Sequence, residues 1–151
     1  MSKGFQFSNF QDFEQPMLYQ GMRFESVETF YQAMKTESVE KRREISLMTA
    51  AQAKRAGRKL TIRKDWEDIK LKVMEYALRY KFTPGTSHYL KLMETDGKIV
   101  EDNLWHDNYW GVCRCGTLTS PPYGVRNCTN GQNHLGILLM KIRDELRQEA
   151  Q

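Results

Sequence analysis

Two stretches of this chain repeat apolar residues at helical spacing: Trp66, Ile69, Val73, Ala77 and Tyr80, and later Leu135, Leu138, Leu139, Ile142 and Leu146. A stripe of that kind is stable only when another element covers it, so helices must pack on a shared core. Between the stripes lies a segment of another character. Residues Asn103 to Gln132 read as one long loop rich in Gly, Pro, Asn, Cys and Trp. A loop that long inside a compact domain is usually functional or disordered, and the aromatic content argues against disorder. The helices therefore read as scaffold and the loop as a place to look for chemistry.

The rest of the chain fits a mainly α fold with one or two short β-hairpin pieces. Met17 to Glu25 reads as a hairpin turning at Gln20-Gly21. Ser26 is a suitable N-cap for a helix over Val27 to Lys35. A second helix is expected over Val39 to Ala56, with Gly57 as its stop. Asp65 is placed to cap the helix that begins at Trp66. A short helix around Ser87 to Met93, an Asp96-Gly97 turn and an extended piece over Lys98 to Glu101 follow. Asn133 is placed to cap the last helix.

At 151 residues the chain has the size of one domain and can bury a real core, so a single domain over 1–151 is expected. The net charge of +4 fits an anionic ligand without demanding a polyanion. Lys54, Arg55, Arg58, Lys59, Arg63 and Lys64 form a local basic run with no acid among them. It reads either as a solvated helix end or as a phosphate-binding patch. No apolar run approaches the ~20 residues needed to span a bilayer, and Met1 to Phe10 has no leader-like apolar core. The expectation is a cytoplasmic protein without membrane contact. Three cysteines without a secretory context argue against a disulfide framework.

Four groups of residues can carry chemistry. In a helix, Glu28, Gln32 and Lys35 share one face, with Tyr31 beside them. They form either a sugar-binding acid, amide and amine or a solvent-facing salt bridge. Glu101 to Gly111 reads E-D-N-L-W-H-D-N-Y-W-G, placing Trp105 and Trp110 next to carboxylates such as Asp107. That suits a flat base stacked on indole, or else a packed loop. Phe7-Ser8-Asn9-Phe10 can orient a ligand or simply turn. Cys113, Cys115 and Cys128, with His106 or His134, can hold a metal, although reduced thiols are the plainer reading. P-loop, Rossmann and zincin motifs are absent from the sequence.

The ordered set of these pieces resembles one family. F-S-N-F stands at Phe7 to Phe10, then G-x-x-F-x-S-x-E-x-x-x-Q-x-x-K from Gly21 to Lys35. R-x-D-W follows at Arg63 to Trp66, K-F at Lys81-Phe82, L-x-x-T at Leu92 to Thr95 and V-E at Val100-Glu101. W-H-D-N-Y-W-G runs from Trp105 to Gly111, and G-x-N-x-L-G-x-L-L-M-x-I-R from Gly131 to Arg143. Together they resemble the NADAR superfamily of YbiA-like proteins across nearly the whole chain. Between Trp110 and Gly131 the chain departs from the simpler pattern, with a longer loop holding the three cysteines and Pro121-Pro122.

The resemblance implies a compact helical fold and N-glycosidase activity. One branch of the family cleaves phosphorylated ribosylamino-pyrimidine intermediates of riboflavin synthesis. Another removes ADP-ribose from guanine in nucleic acid, opposing a DNA ADP-ribosyltransferase toxin. Carried onto this chain, it makes Lys35, Glu28 and Asp107 the catalytic candidates. Trp110 and Asn133 also match its motifs, and with Ser8, Asn9, Phe10, Tyr31, Gln32, Trp66, Trp105 and Gly131 they are the substrate-binding candidates. No cofactor is required in this scheme, and structural zinc on the cysteines is a secondary expectation. The basic run and enlarged loop lean toward the guanine branch, with the riboflavin intermediate as alternative. A non-catalytic module binding ADP-ribose or NAD is the reading of another class.

Overall fold

The computed structural model describes residues 7–115 and 131–151. These residues form six helices and two small two-stranded sheets. They divide into two compact units, one of Asn9–Leu92 and one of the described residues up to Ser8 and from Met93 onward. No helix among them is long and apolar enough to cross a membrane.

The first unit opens with strands β1 (Asp12–Tyr19) and β2 (Met22–Ser26), paired antiparallel. Gln20 and Gly21 turn the hairpin with φ of 48° and 76°, the double left-handed geometry that matches strand twist. The strand begins earlier than Met17, with an irregular register between Asp12 and Met17. Pro16, which has no N–H to donate, lies in that irregular stretch. Helix α1 (Val27–Ala33) follows at once, its first turn closed by the Ser26 hydroxyl accepting from the Thr29 N–H. Every residue of α1 is buried. Phe30 packs edge-on against Phe24 and Tyr19, fixing the helix on the hairpin.

The single helix expected over Val39 to Ala56 is instead two, α2 (Val39–Ser46) and α3 (Ala50–Gly57). Thr49 explains the break. Its hydroxyl accepts from the Gln52 N–H while the Gln52 side chain accepts from the Thr49 N–H, a reciprocal cap that starts a new helix. Helix α4 (Trp66–Lys81) starts where expected, but Asp65 does not cap it. Its carboxylate is taken by Arg63 through two bonds of 2.6 and 3.1 Å. The buried line of α4 is Trp66, Met74, Ala77, Leu78 and Lys81. It is turned by one position from the expected stripe, because Ile69, Val73 and Tyr80 are only half-buried. Helix α5 covers Ser87–Met93.

The second unit is built on α6 (His134–Glu149), which buries Leu135, Leu138, Leu139 and Ile142. Arg143 is buried on the same helix and donates to Thr95 Oγ1 and to the Gly97 carbonyl, pinning the Asp96-Gly97 turn. The extended piece falls slightly later than expected, at β3 (Asp102–Asn103). It pairs with β4 (Val112–Cys113), and the pairing is parallel, so this second β element is no hairpin. The bonds are Val112 N–H to Glu101 O and Arg114 N–H to Asn103 O, both 2.7 Å.

Candidate active site

The candidates in the first unit cluster around α1. Ser26 and the short helix force Glu28, Gln32 and Lys35 onto one side. The Gln32 amide donates to Glu28 Oε1 at 2.8 Å, and both side chains are buried. This pair is therefore not a solvent-facing salt bridge. The Glu28 N–H is bound by the Asn9 carbonyl at 3.1 Å, which brings Asn9 onto the first turn of α1. Asn9 donates its amide to Met74 Sδ, and its buried Oδ1 has no hydrogen-bond partner among the described residues. Gln32 Oε1 is in the same condition.

Gly57 ends α3, and its lack of a side chain matters more than the stop. A Cβ at that position would lie 1.8 Å from Gln32 Oε1, so the last residue of α3 is the seat on which Gln32 rests. Sequence pattern gave no sign of this, because a close approach between two helices leaves no period.

Lys35 follows α1, with its Nζ 5.4 Å from the Tyr31 ring centroid. Tyr31 in turn packs on Trp66 at 5.0 Å between centroids, and both rings are buried. The Lys35 carbonyl accepts from the Arg63 N–H at 2.8 Å, which ties the lysine to the start of the R-x-D-W segment. Burial holds the Lys35 amine below its ordinary pKa. The Glu28 carboxylate pulls the other way, while Arg58, Lys54 and Lys70 push further down. Desolvation and the three cations together outweigh the one carboxylate. Lys54 also lies over the exposed Phe10 ring, 5.6 Å from its centroid. The basic run is thus divided: Arg63 is engaged with Asp65 and Glu37, whereas Lys54 and Arg58 bear on Lys35.

The candidates in the second unit belong to the segment between β3 and β4 and to the entry of α6. Asn103 is buried and organises this loop. Its Oδ1 accepts from the Trp105 and Asp107 N–H groups, and its Nδ2 donates to the Asp107 carbonyl. Asp107 Oδ1 accepts from the Tyr109 and Trp110 N–H groups at 3.0 and 2.9 Å. One carboxylate oxygen therefore caps a turn. Trp105 is 59% exposed, a surface indole, while Trp110 is half-buried and edge-on to Tyr109. Ser8 belongs to this unit and is half-buried.

Asn133 occupies the N-cap position of α6 in a left-handed conformation, φ 53°, but its side chain does not cap the helix. It is buried as a cross-brace instead, donating to the Ile99 carbonyl at 2.9 Å and accepting from the Glu101 N–H at 3.0 Å. Gly131 lies against Val112, where a Cβ would come within 2.8 Å of its backbone. Cys113 and Cys115 are buried beside His106, whereas Cys128 lies outside the described residues. His134 is elsewhere, bonded to Gln132 and packed on Tyr109.

Two groups thus emerge: Asn9, Phe10, Glu28, Tyr31, Gln32, Lys35 and Trp66 in one unit, and Ser8, Trp105, Asp107, Trp110, Gly131 and Asn133 in the other. Asn103 and Gly57 were missed as organisers of their groups. The signal for Asn103 was present, since Asn is a residue that bonds nearby backbone in turns.

Residues 2–147 match the NADAR domain family. The chain is 33% identical over 147 residues to N-glycosidase YbiA of Escherichia coli (strain K12), covering 95% of this chain and 82% of that protein. It is 31% identical over 133 residues to a riboflavin biosynthesis protein of Vibrio vulnificus (strain YJ016). That match covers 86% of this chain and 33% of the relative, so this chain spans about a third of its length. The NMR structure of E. coli YbiA superposes with a TM-score of 0.76 at 32% identity, over 96% of this chain and 79% of that one. The motifs, the fold and these matches agree: the chain belongs to the NADAR domain family, alongside the YbiA N-glycosidases.

Proposed function

We propose that this NADAR-family N-glycosidase removes ADP-ribose from guanine bases in DNA, in the cytoplasm, opposing a DNA ADP-ribosyltransferase toxin. The observation that carries the reading is the half-buried Lys35 amine, held below its ordinary pKa by burial and by the charges of Arg58, Lys54 and Lys70, against the opposing pull of Glu28. Cleaving a ribose–nitrogen bond leaves positive charge on the anomeric carbon and electrons on the leaving nitrogen. Glu28 can stabilise the first, and the cations suit the diphosphate of ADP-ribose. Arg55, Arg58 and Lys59 extend the positive surface outward as exposed side chains on or just after α3, which favours a polyanion over a lone small anion.

An amine held below its ordinary pKa is also a nucleophile. Opening of the ribose ring gives an iminium between the anomeric carbon and the guanine nitrogen. Lys35 adds to that carbon, the guanine nitrogen leaves with a proton, and a lysine imine remains. Water then adds, returning the amine and releasing ADP-ribose. The other unit offers Asp107 as a further carboxylate candidate, and Trp105 and Trp110 as candidate stacking surfaces for a base.

The test is incubation with guanine-ADP-ribosylated DNA, read by mass spectrometry, with Lys35→Ala as control. Release of ADP-ribose and intact DNA by the wild type alone supports the reading. Borohydride should trap a lysine adduct during turnover; turnover without an adduct removes the imine route. A second reading is favoured by the names of the riboflavin biosynthesis relatives from Vibrio vulnificus and Arabidopsis thaliana. In it the substrate is a phosphorylated ribosylamino-pyrimidine. A folded protein that leaves modified DNA untouched but cleaves that intermediate decides for it.

A further inference from the structure

His106, Cys113 and Cys115 belong to no step of the proposed reaction, yet the fold brings them together. Their donor atoms all lie within 4.8 Å of one another. We propose that these three side chains are ligands of a Zn²⁺ ion that fastens the Asp107-bearing loop to strand β4. The inference is independent of the glycosidase reading.

The geometry carries it. Cys113 Sγ and His106 Nδ1 are 3.6 Å apart. A zinc ion holding sulfur at about 2.3 Å and nitrogen at about 2.0–2.1 Å at the tetrahedral angle sets those two atoms about 3.6 Å apart. Two sulfurs on the same ion stand about 3.8 Å apart, so the trio closes on a metal by a small side-chain rotation. The Cys115 N–H points at Cys113 Sγ, 3.4 Å away. A backbone donor aimed at sulfur stabilises the thiolate, the form that binds metal. His106 is held at φ 67°, a left-handed conformation that side chains rarely adopt. That conformation accompanies an imidazole standing beside Cys113.

The donor set selects the ion. Two thiolates and an imidazole are soft to borderline ligands suited to zinc rather than to calcium or magnesium. Both sulfurs are buried, and thiolates out of water require a compensating charge, which a divalent cation supplies. Binding displaces the proton of each thiol, so Zn²⁺ enters as up to two H⁺ leave. The fourth position of the tetrahedron is left to a group outside this trio. The alternative is a thiol–imidazole hydrogen bond at the same distance, which would show no metal affinity.

The full chain, purified under reducing conditions without chelator, is assayed for metal and then titrated as apoprotein with Zn²⁺ against a chromophoric chelator. His106→Ala and Cys115→Ser are run in parallel, with circular dichroism to confirm folding. About one zinc per chain is expected, and loss of a ligand should weaken binding more than about 100-fold, since even groups behind a ligand are worth about 10–100-fold. Co²⁺ should give thiolate charge-transfer absorption in the wild type and lose it in Cys115→Ser. His106 is exposed, so His106→Ala decides if the cysteine variant fails to fold. Wild-type protein that takes up no zinc, or holds it within tenfold of His106→Ala, overturns the proposal.

Discussion

Replacing Lys81 by methionine removes an amine that the fold keeps out of water while retaining a side chain of similar length. Lys81 ends helix α4 at 1% exposure, with Nζ donating to Gln11 Oε1 at 3.0 Å and lying 5.3 Å from the Phe82 ring centroid. Burial, helped by the charge of Lys91, lowers its pKa from 10.5 to about 7. The unfolded chain keeps the ordinary value. Between about pH 7 and 10.5 the unfolded state therefore binds more protons than the folded one, and the stability traced to Lys81 rises with pH across that window. It is flat outside the window, where both states carry the same charge. At about 1.4 kcal/mol per tenfold change, the whole separation is worth about 5 kcal/mol, of which roughly 2 kcal/mol falls between pH 7 and 9. Urea unfolding of wild type and Lys81→Met at pH 7, 8 and 9 isolates this part, because other titrating groups cancel in the difference. The wild type should gain about 2 kcal/mol on the variant over that range. Two stability curves that run parallel would mean that Lys81 stays charged in the fold and that the reasoning is wrong.

Three further outcomes follow from the geometry around the two groups of candidates. Gly57→Ala drives a Cβ into Gln32 and must displace it from Glu28; destabilisation of about 1–3 kcal/mol by urea unfolding, with loss of glycosidase activity, is expected. Asn103→Ala removes three bonds that shape the Trp105–Gly111 loop. A cost of about 2–4 kcal/mol is expected, and a loss below about 1 kcal/mol would show that the loop holds without it. Replacing Lys54 and Arg58 by methionine takes away two cations that lower the Lys35 pKa. The amine then needs more alkaline solution to lose its proton, so the rising limb of the kcat/KM profile should move to higher pH; an unmoved limb means that another group sets it.

Elements with a repeating period or a local cap were legible in the sequence. The hairpin turn at Gln20-Gly21, the Ser26 cap and the α6 stripe all rest on neighbours a few residues apart, and each is present. The break between α2 and α3 was legible too, as T-x-x-Q at Thr49 to Gln52, but the helix-forming residues around it hid the signal. Asp65 and Asn133 stand at helix starts without capping them, for one reason. Both are good capping residues, and each is taken by a partner other than its helix: the neighbouring Arg63 guanidinium for one, the sequence-distant Ile99 and Glu101 backbone for the other. The alignment of Glu28, Gln32 and Lys35 followed from helix geometry. Their burial did not, since it depends on α3 bringing Gly57 against Gln32.

The parallel pairing of β3 with β4 has a consequence for how this protein can vary. Parallel strands are ordinarily joined by a crossover of about a dozen residues or more. Here residues 104–111 alone make the connection, and the Glu101 and Asn103 carbonyls clamp its exit through the Val112 and Arg114 N–H groups. Removing one residue from that span would slip the pairing and break the clamp. The segment W-H-D-N-Y-W-G is therefore a cassette of fixed length whose ends are stitched together. Evolution and protein engineers alike must exchange it whole or change its surface residues in place, and insertions belong beyond Cys115.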